Sequence, residues 1–271
     1  MTVCVGVICD GGKGAVLAAD EMVTFGAPMS LQTEPPAFSK IQFLTNESVY
    51  LFSGTVPDGE EIFVNSKAKA AAAGKQPVSQ VAETVKISYK ELKHKRIEET
   101  IIQPLLGTDF AGFRQLVGQS LASPQILQQV FGLISQHNLQ IDILISGFDD
   151  TGHHLFIVTH PGISQPANML GFAAIGSGYL HAMVSLSLAG QTKVTPFAET
   201  VLNIYKAKKA AEVAPGVGRR TDMVILRNDK INIAGPKLFE MLEKYCQKPQ
   251  QAISELERSD IEEAYNDHNT Q

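Results

Sequence analysis

The chain has 271 residues, 44% hydrophobic and 19% charged, which is a globular rather than a disordered balance. Acids outnumber bases 28 to 23, a net charge of −5, so there is no general basic face for nucleic acid. Three cysteines without a CxxC pair exclude a disulfide framework and a cysteine-bound zinc, and no apolar run approaches the roughly 18 residues of a membrane helix.

Residues 2–9 form a β-branched run of strand type, and Asp10-Gly11-Gly12-Lys13-Gly14 is a turn signal. Residues 15–19 are again short and apolar, which completes a hairpin. Asp10 and Lys13 interrupt the apolar start before it reaches signal-peptide length; three free thiols fit a reducing, cytoplasmic setting. After a loop with Pro28, Pro35 and Pro36, residues 38–44 and 48–52 flank Thr45-Asn46-Glu47 as a second hairpin. Asp58-Gly59-Glu60-Glu61 puts acids in a first helical turn, and the helix ends at Gly74, a C-cap signal. Pro77-Val78-Ser79 opens another helix, with Val81, Val85, Ile87, Tyr89 and Leu92 at helical spacing. Its basic run (Lys90, Lys93, Lys95, Arg96) reads as a solvated face.

Residues 97–138 are broken by Gly107, Gly112 and Gly118 until Ser123-Pro124, an N-cap and first-turn proline, starts a helix towards His137. Strands return at 140–146, 154–159 and 172–176, followed by helices at 179–188 and 196–213 and a last hairpin at 223–227 and 231–234. Strands arriving in hairpins between groups of helices predict an α+β fold with largely antiparallel sheets. One domain spans 2–246, and residues 247–271 form a charged tail.

Most motif readings close off. The Gly11-Gly12-Lys13-Gly14 turn joins two strands and lacks the spacing of a phosphate loop. His153 and His154 are adjacent on a strand and point to opposite faces, and HExxH is absent, so no metal site is expected. GxSxG is absent too, while Cys4 and Cys9 read as small core residues. Gly176-Ser177-Gly178 before a helix reads as an anion-holding N-terminus or as a simple cap.

Thr2 reads differently. Removal of Met1 would give it a free α-amine beside its own hydroxyl, and an amine of pKa near ~7.7–8.0 is a base at neutral pH. Hydroxyl and amine together form a self-contained nucleophile and base. Asp20 ends the second strand, and Lys40 stands in an apolar strand where a lysine is unexpected. Taken alone, Lys40 reads as an exposed strand residue and Asp20 as a turn former. Turned inward, Lys40 lowers the proton affinity of a neighbouring hydroxyl or amine, with Asp20 as its charge partner. Strand alternation puts Phe38, Lys40 and Gln42 on one face and does not itself force Lys40 inward.

At these residues the chain resembles the proteasome β-subunit family of N-terminal nucleophile hydrolases, over roughly 2–75 and 140–235. Thr2-Val3-Cys4-Val5-Gly6-Val7 with Gly14–Asp20 is similar to the family's opening hairpin, and Ser39-Lys40-Ile41 to its lysine strand. Ser53-Gly54-Thr55-Val56-Pro57-Asp58 resembles its glycine turn, and Ala174-Ile175-Gly176-Ser177-Gly178 its GSG element. The resemblance implies a four-layer αββα sandwich with Thr2 as nucleophile, Asp20 and Lys40 tuning it, and Ser177 supporting the terminal amine. It implies Gly54 N–H as oxyanion donor, Thr24 holding substrate backbone, and Phe52 and Val56 near the specificity pocket.

It further implies a peptidase acting on peptides or unfolded protein within a homo-oligomeric ring, with an ATP-dependent regulator left open, no cofactor, and neither nucleic acid nor membrane as partner. An idle scaffold subunit and a specialised amidase or transacylase stay open beside it. The chain departs from the pattern at Ala214–Asp222, where active members commonly carry an Asp and a Ser near the nucleophile.

Overall fold

The structure is a computed structural model that describes residues 2–24, 31–35, 39–119 and 123–246. The chain divides into two compact units, residues 1–232 and 233–271. In the second, residues 236–246 are helical and the expected tail lies outside the described residues.

The first unit opens with strands β1 (Cys4–Cys9), β2 (Gly14–Asp20), β3 (Val23–Thr24), β4 (Gln32–Thr33), β5 (Ile41–Phe43) and β6 (Ser48–Ser53). Helices α1 (Val56–Ala73) and α2 (Val78–Ile97) follow, then a π-helical turn (Glu98–Ile102) and helices α3 (Gln103–Leu106), α4 (Phe110–Gly118) and α5 (Pro124–Gln136). Strands β7 (Asp142–Asp149), β8 (Gly152–Thr159), β9 (Ile163–Pro166) and β10 (Phe172–Ile175) lead to α6 (Tyr179–Leu188) and α7 (Phe197–Ala211), and β11 (Thr221–Arg227) and β12 (Lys230–Ile233) complete the series.

The fold is α+β, with two five-stranded sheets ordered β10-β1-β2-β11-β12 and β5-β6-β7-β8-β9. β1 pairs antiparallel with β2 and β10, and β2 with β11. The second sheet is antiparallel throughout. Every residue of β1, β2 and β6 is buried, because both faces of these strands are covered. Cys4, Ile8, Leu17 and Ala19 of the first sheet share one apolar cluster with Val49, Leu51, Leu144 and Leu155 of the second. Gly6 leaves room for this cluster, since a Cβ there would meet the Leu17, Leu155 and Leu144 side chains at 2.9, 3.0 and 3.1 Å. On the far face of the second sheet Tyr50, Phe52, Ile143 and Ile145 pack with Ile62, Val81, Val85 and Tyr89 of α1 and α2. Helices α6 and α7 lie against β10, β1 and β2. No helix among the described residues is long and apolar enough to cross a membrane.

Several expectations shift. α1 starts at Val56 rather than Asp58, with Pro57 in its first turn. Ile87 is 43% exposed and stands off the packed stripe of α2. Gly107, left-handed at φ +66°, ends α3 and Gly118 ends α4, whereas Gly112 lies inside α4 instead of breaking the chain. That region forms its own small core of Ile97, Ile101, Ile102, Phe113 and Val130. The basic run of α2 is only partly a solvated face: Arg96 pairs with Asp58 at 2.7 Å and Glu61 at 2.9 Å, and Lys95 with Glu61 at 2.8 Å.

Candidate active site

The register of the opening hairpin places the first two candidates. Cys4 stands opposite Ala19, and Asp20 N donates to Val3 O at 3.2 Å, so Thr2 and Asp20 share one end of the hairpin. The Asp20 carboxylate is saturated with donors. Oδ1 accepts from Thr2 Oγ1 and from Val3 N at 2.8 Å, and Oδ2 accepts from Met22 N and Gly218 N, each at 3.0 Å. Lys40 Nζ donates to Thr2 Oγ1 and to Asp20 Oδ1 at 2.9 Å. Thr2, Asp20 and Lys40 are 1%, 0% and 5% exposed, so the hydroxyl sits beside a cation and an anion with little water to screen either.

Lys40 reaches this position because it is not a strand residue. β5 begins at Ile41, and Lys40 lies in the bend before it. The Ser39 hydroxyl accepts from Ile41 N at 3.0 Å and tightens that bend. The alternation expected over 38–43 therefore does not govern it, and Phe38 lies outside the described residues. Ile41, one residue on, joins the core between the sheets.

On the other side of Thr2, its N donates to Ser177 Oγ at 3.2 Å, and that hydroxyl lies 3.4 Å from Thr2 O and 3.3 Å from Pro215 O. Gly178 N donates to Thr2 O at 3.1 Å. Gly176, at φ +91°, permits this approach: a Cβ there would stand 2.4 Å from Thr2 O.

A cleft of about 380 Å³ opens over Thr2 and Lys40, walled by Met22, Val23, Gly54, Thr55, Val56 and Gln140. Gly54 has φ +122°, and a Cβ on it would meet Gln140 O at 2.2 Å, so only glycine fits this wall. Val56 opens α1 at the cleft. Phe52 borders the cleft too, but it is 2% exposed and belongs to the cluster between the second sheet and α1 and α2. Thr24 lies in β3 opposite Gln32, and its side chain is outside the described residues.

Cys4 lies beneath the site with Sγ donating to Phe52 O at 3.5 Å. Burial pushes its thiol up to about 12, against the pull of Lys40, so it is no thiolate at neutral pH. A second constellation of hydroxyl, imidazole and carboxylate occurs at the β7–β8 turn. Thr151 Oγ1 and Asp149 Oδ1 lie 2.8 and 3.1 Å from His154 Nε2. Asn168, its Oδ1 accepting from Leu155 N at 2.7 Å, turns its amide nitrogen to His154 Nδ1 at 3.0 Å. Nδ1 is thus the acceptor and Nε2 carries the proton, so the ring has no lone pair for Thr151.

Gly218 N–H, Met22, Val23 and Gln140 are site groups that the sequence reading did not find. A backbone N–H leaves no signature in a side chain, and Gln140 reveals itself only through its place against Gly54. Among the described residues no group of three His, Cys, Asp or Glu is arranged to hold a metal ion. No protein-family model matches the chain, and no curated protein is significantly similar to it.

Proposed function

We propose that the chain is a threonine-type N-terminal nucleophile hydrolase of the αββα sandwich class, cleaving amide bonds through an acyl-enzyme on Thr2. The observation that carries the reading is the convergence of Lys40 Nζ and Asp20 Oδ1 on Thr2 Oγ1, buried at the floor of an open cleft. A cation beside the hydroxyl stabilises the developing alkoxide, and a saturated carboxylate holds the cation in place. With Met1 removed, the Thr2 amine takes the hydroxyl proton, and Ser177 keeps that amine oriented. Oγ1 adds to the substrate carbonyl carbon, and Gly54 N–H receives the oxyanion at the cleft wall. The amine returns the proton to the leaving nitrogen as the C–N bond breaks. Water then adds to the ester, and its collapse frees the acid and Thr2.

Apolar Met22, Val23 and Val56 in the cleft wall suit a peptide with an uncharged side chain. β3, beside the cleft, offers backbone for an extended substrate, which is the role proposed for Thr24. A ring of copies of this chain, with a peptide or unfolded protein inside, completes the proposal. The alternative of an idle scaffold subunit is favoured by one observation, the absence of an Asp-x-x-Ser pattern in Ala214–Asp222 after α7. Hydrolysis of a panel of fluorogenic peptide amides by the wild type and by Thr2→Ala separates the two. Turnover abolished by Thr2→Ala supports the hydrolase; turnover by neither protein supports the scaffold; equal turnover by both moves the nucleophile elsewhere.

A further inference from the structure

Helix α7 buries Thr200, Val201, Ile204, Ala207 and Ala211 along its packed face, and Lys208 lies among them with 0% exposure. An apolar residue is the ordinary occupant of such a position, because burying an ammonium is costly unless it is fully paired. Lys208 is fully paired. Nζ donates to Glu212 Oε1 at 2.7 Å, to Gly218 O at 2.8 Å and to Arg219 O at 2.7 Å. Its three donors are used, and two of them go to consecutive carbonyls of the segment that crosses from α7 to β11. The same Gly218 gives its N–H to Asp20 Oδ2 at 3.0 Å, and Pro215 O of the same segment lies 3.3 Å from Ser177 Oγ.

We propose that Lys208 is a positioning residue for the nucleophile site: by holding the carbonyls of Gly218 and Arg219 it aims Gly218 N–H at Asp20 and so fixes the carboxylate that orients Lys40 and Thr2. The inference rests on the hydrolase reading above and extends it by one residue that touches none of the reacting groups. Burial pulls the Lys208 ammonium below the usual lysine range, and the Glu212 hydrogen bond and charge oppose that pull. A methionine in its place fits the volume and keeps α7 packed, but leaves two inward carbonyls without a donor. The segment then relaxes and Asp20 Oδ2 loses an N–H, so the carboxylate no longer fixes the Lys40 ammonium and the Thr2 hydroxyl in reacting geometry.

The test is the saturation kinetics of Thr2 acylation by a β-lactone probe, its limiting rate and half-saturating concentration, measured by intact mass for wild type, Lys208→Met and Lys209→Met. Lys209 is the control, since it pairs with the same Glu212 at 3.4 Å. The expected result is a limiting rate lowered about tenfold or more in Lys208→Met at an unchanged half-saturating concentration, with both quantities unchanged in Lys209→Met. A merely structural role lowers the amount of reactive protein and leaves the limiting rate per reactive chain where it was, which overturns the proposal, as do equal rates. Where Lys208→Met yields no folded protein, Lys208→Gln, with a shorter polar side chain, is read the same way; failure of both to fold assigns Lys208 to stability and overturns it too. A wild type that is not acylated at Thr2 refutes the hydrolase reading itself and takes this inference with it.

Discussion

Lys40 acts in this site as a point charge aimed at two oxygens, Thr2 Oγ1 and Asp20 Oδ1. A guanidinium keeps the charge but spreads it over a plane that does not fit a pocket where Lys40 is 5% exposed. Lys40→Arg is therefore expected to lose roughly 10²-fold or more in kcat/KM against a peptide amide while staying folded; near-wild-type turnover in this variant would remove Lys40 from the mechanism. Lys40→Ala is expected to be equally inactive and still folded, because Asp20 keeps three backbone donors, Val3, Met22 and Gly218. That differs from the sequence-based expectation of Lys40 and Asp20 as a simple charge pair. Gly54→Ala must move either the Gly54 backbone or the Gln140 carbonyl, so both thermal stability and turnover are expected to fall, by about 1–3 kcal/mol in stability. An unchanged melting temperature would show that the wall is pliant. Thr2 and Asp20 were legible as candidates, Thr2 because it follows Met1 and Asp20 because it ends β2, and the resemblance joined them. The inward turn of Lys40 was not, because it depends on where β5 begins.

At the scale of elements, α2 begins at Pro77, an N-cap with no side-chain oxygen to offer its first amides. Asp149, from the end of β7, supplies one instead, accepting from Val78 N at 3.0 Å. Burial works against its charge, but the Thr151 hydroxyl and amide and the Val78 amide outweigh that and draw its carboxyl down to about 2. A depressed carboxylate contributes stability that is complete above its unfolded pKa, near ~3.9, and is lost as pH falls through the folded value. Asp149→Ala is thus expected to cost about 1 kcal/mol at neutral pH, and the difference from wild type to shrink between pH 4 and about 2. A difference that stays constant over that window would contradict the capping role. Elements with strong local signals, such as β1, β2 and α6, were legible, since burial on both faces or a sustained apolar pattern fixes them. The two-residue strands β3 and β4 carry too few residues for a period, and β9 ends at Pro166 with exposed residues that look like a loop. Residues 97–138 were hard to read because Gly112 sits inside a helix of a region held by its own small core.

At the scale of the whole molecule, α6 carries Leu180, Val184 and Leu188 four residues apart, and they are 57%, 49% and 85% exposed. Such an apolar stripe on the surface is what a neighbouring copy would cover in a ring. Val184→Glu with Leu188→Glu is expected to lower the mass seen by sedimentation without unfolding the chain, whereas a wild type that sediments as a monomer would contradict the ring. Whether Thr2 supplies both hydroxyl and amine is decided by intact mass and peptide mapping after treatment with a peptide epoxyketone. That reagent needs both groups on one residue to close its ring. The expected product is a chain that starts at Thr2 and carries one adduct there, absent from Thr2→Ala. A chain that retains Met1, or an adduct on any other residue, would contradict it.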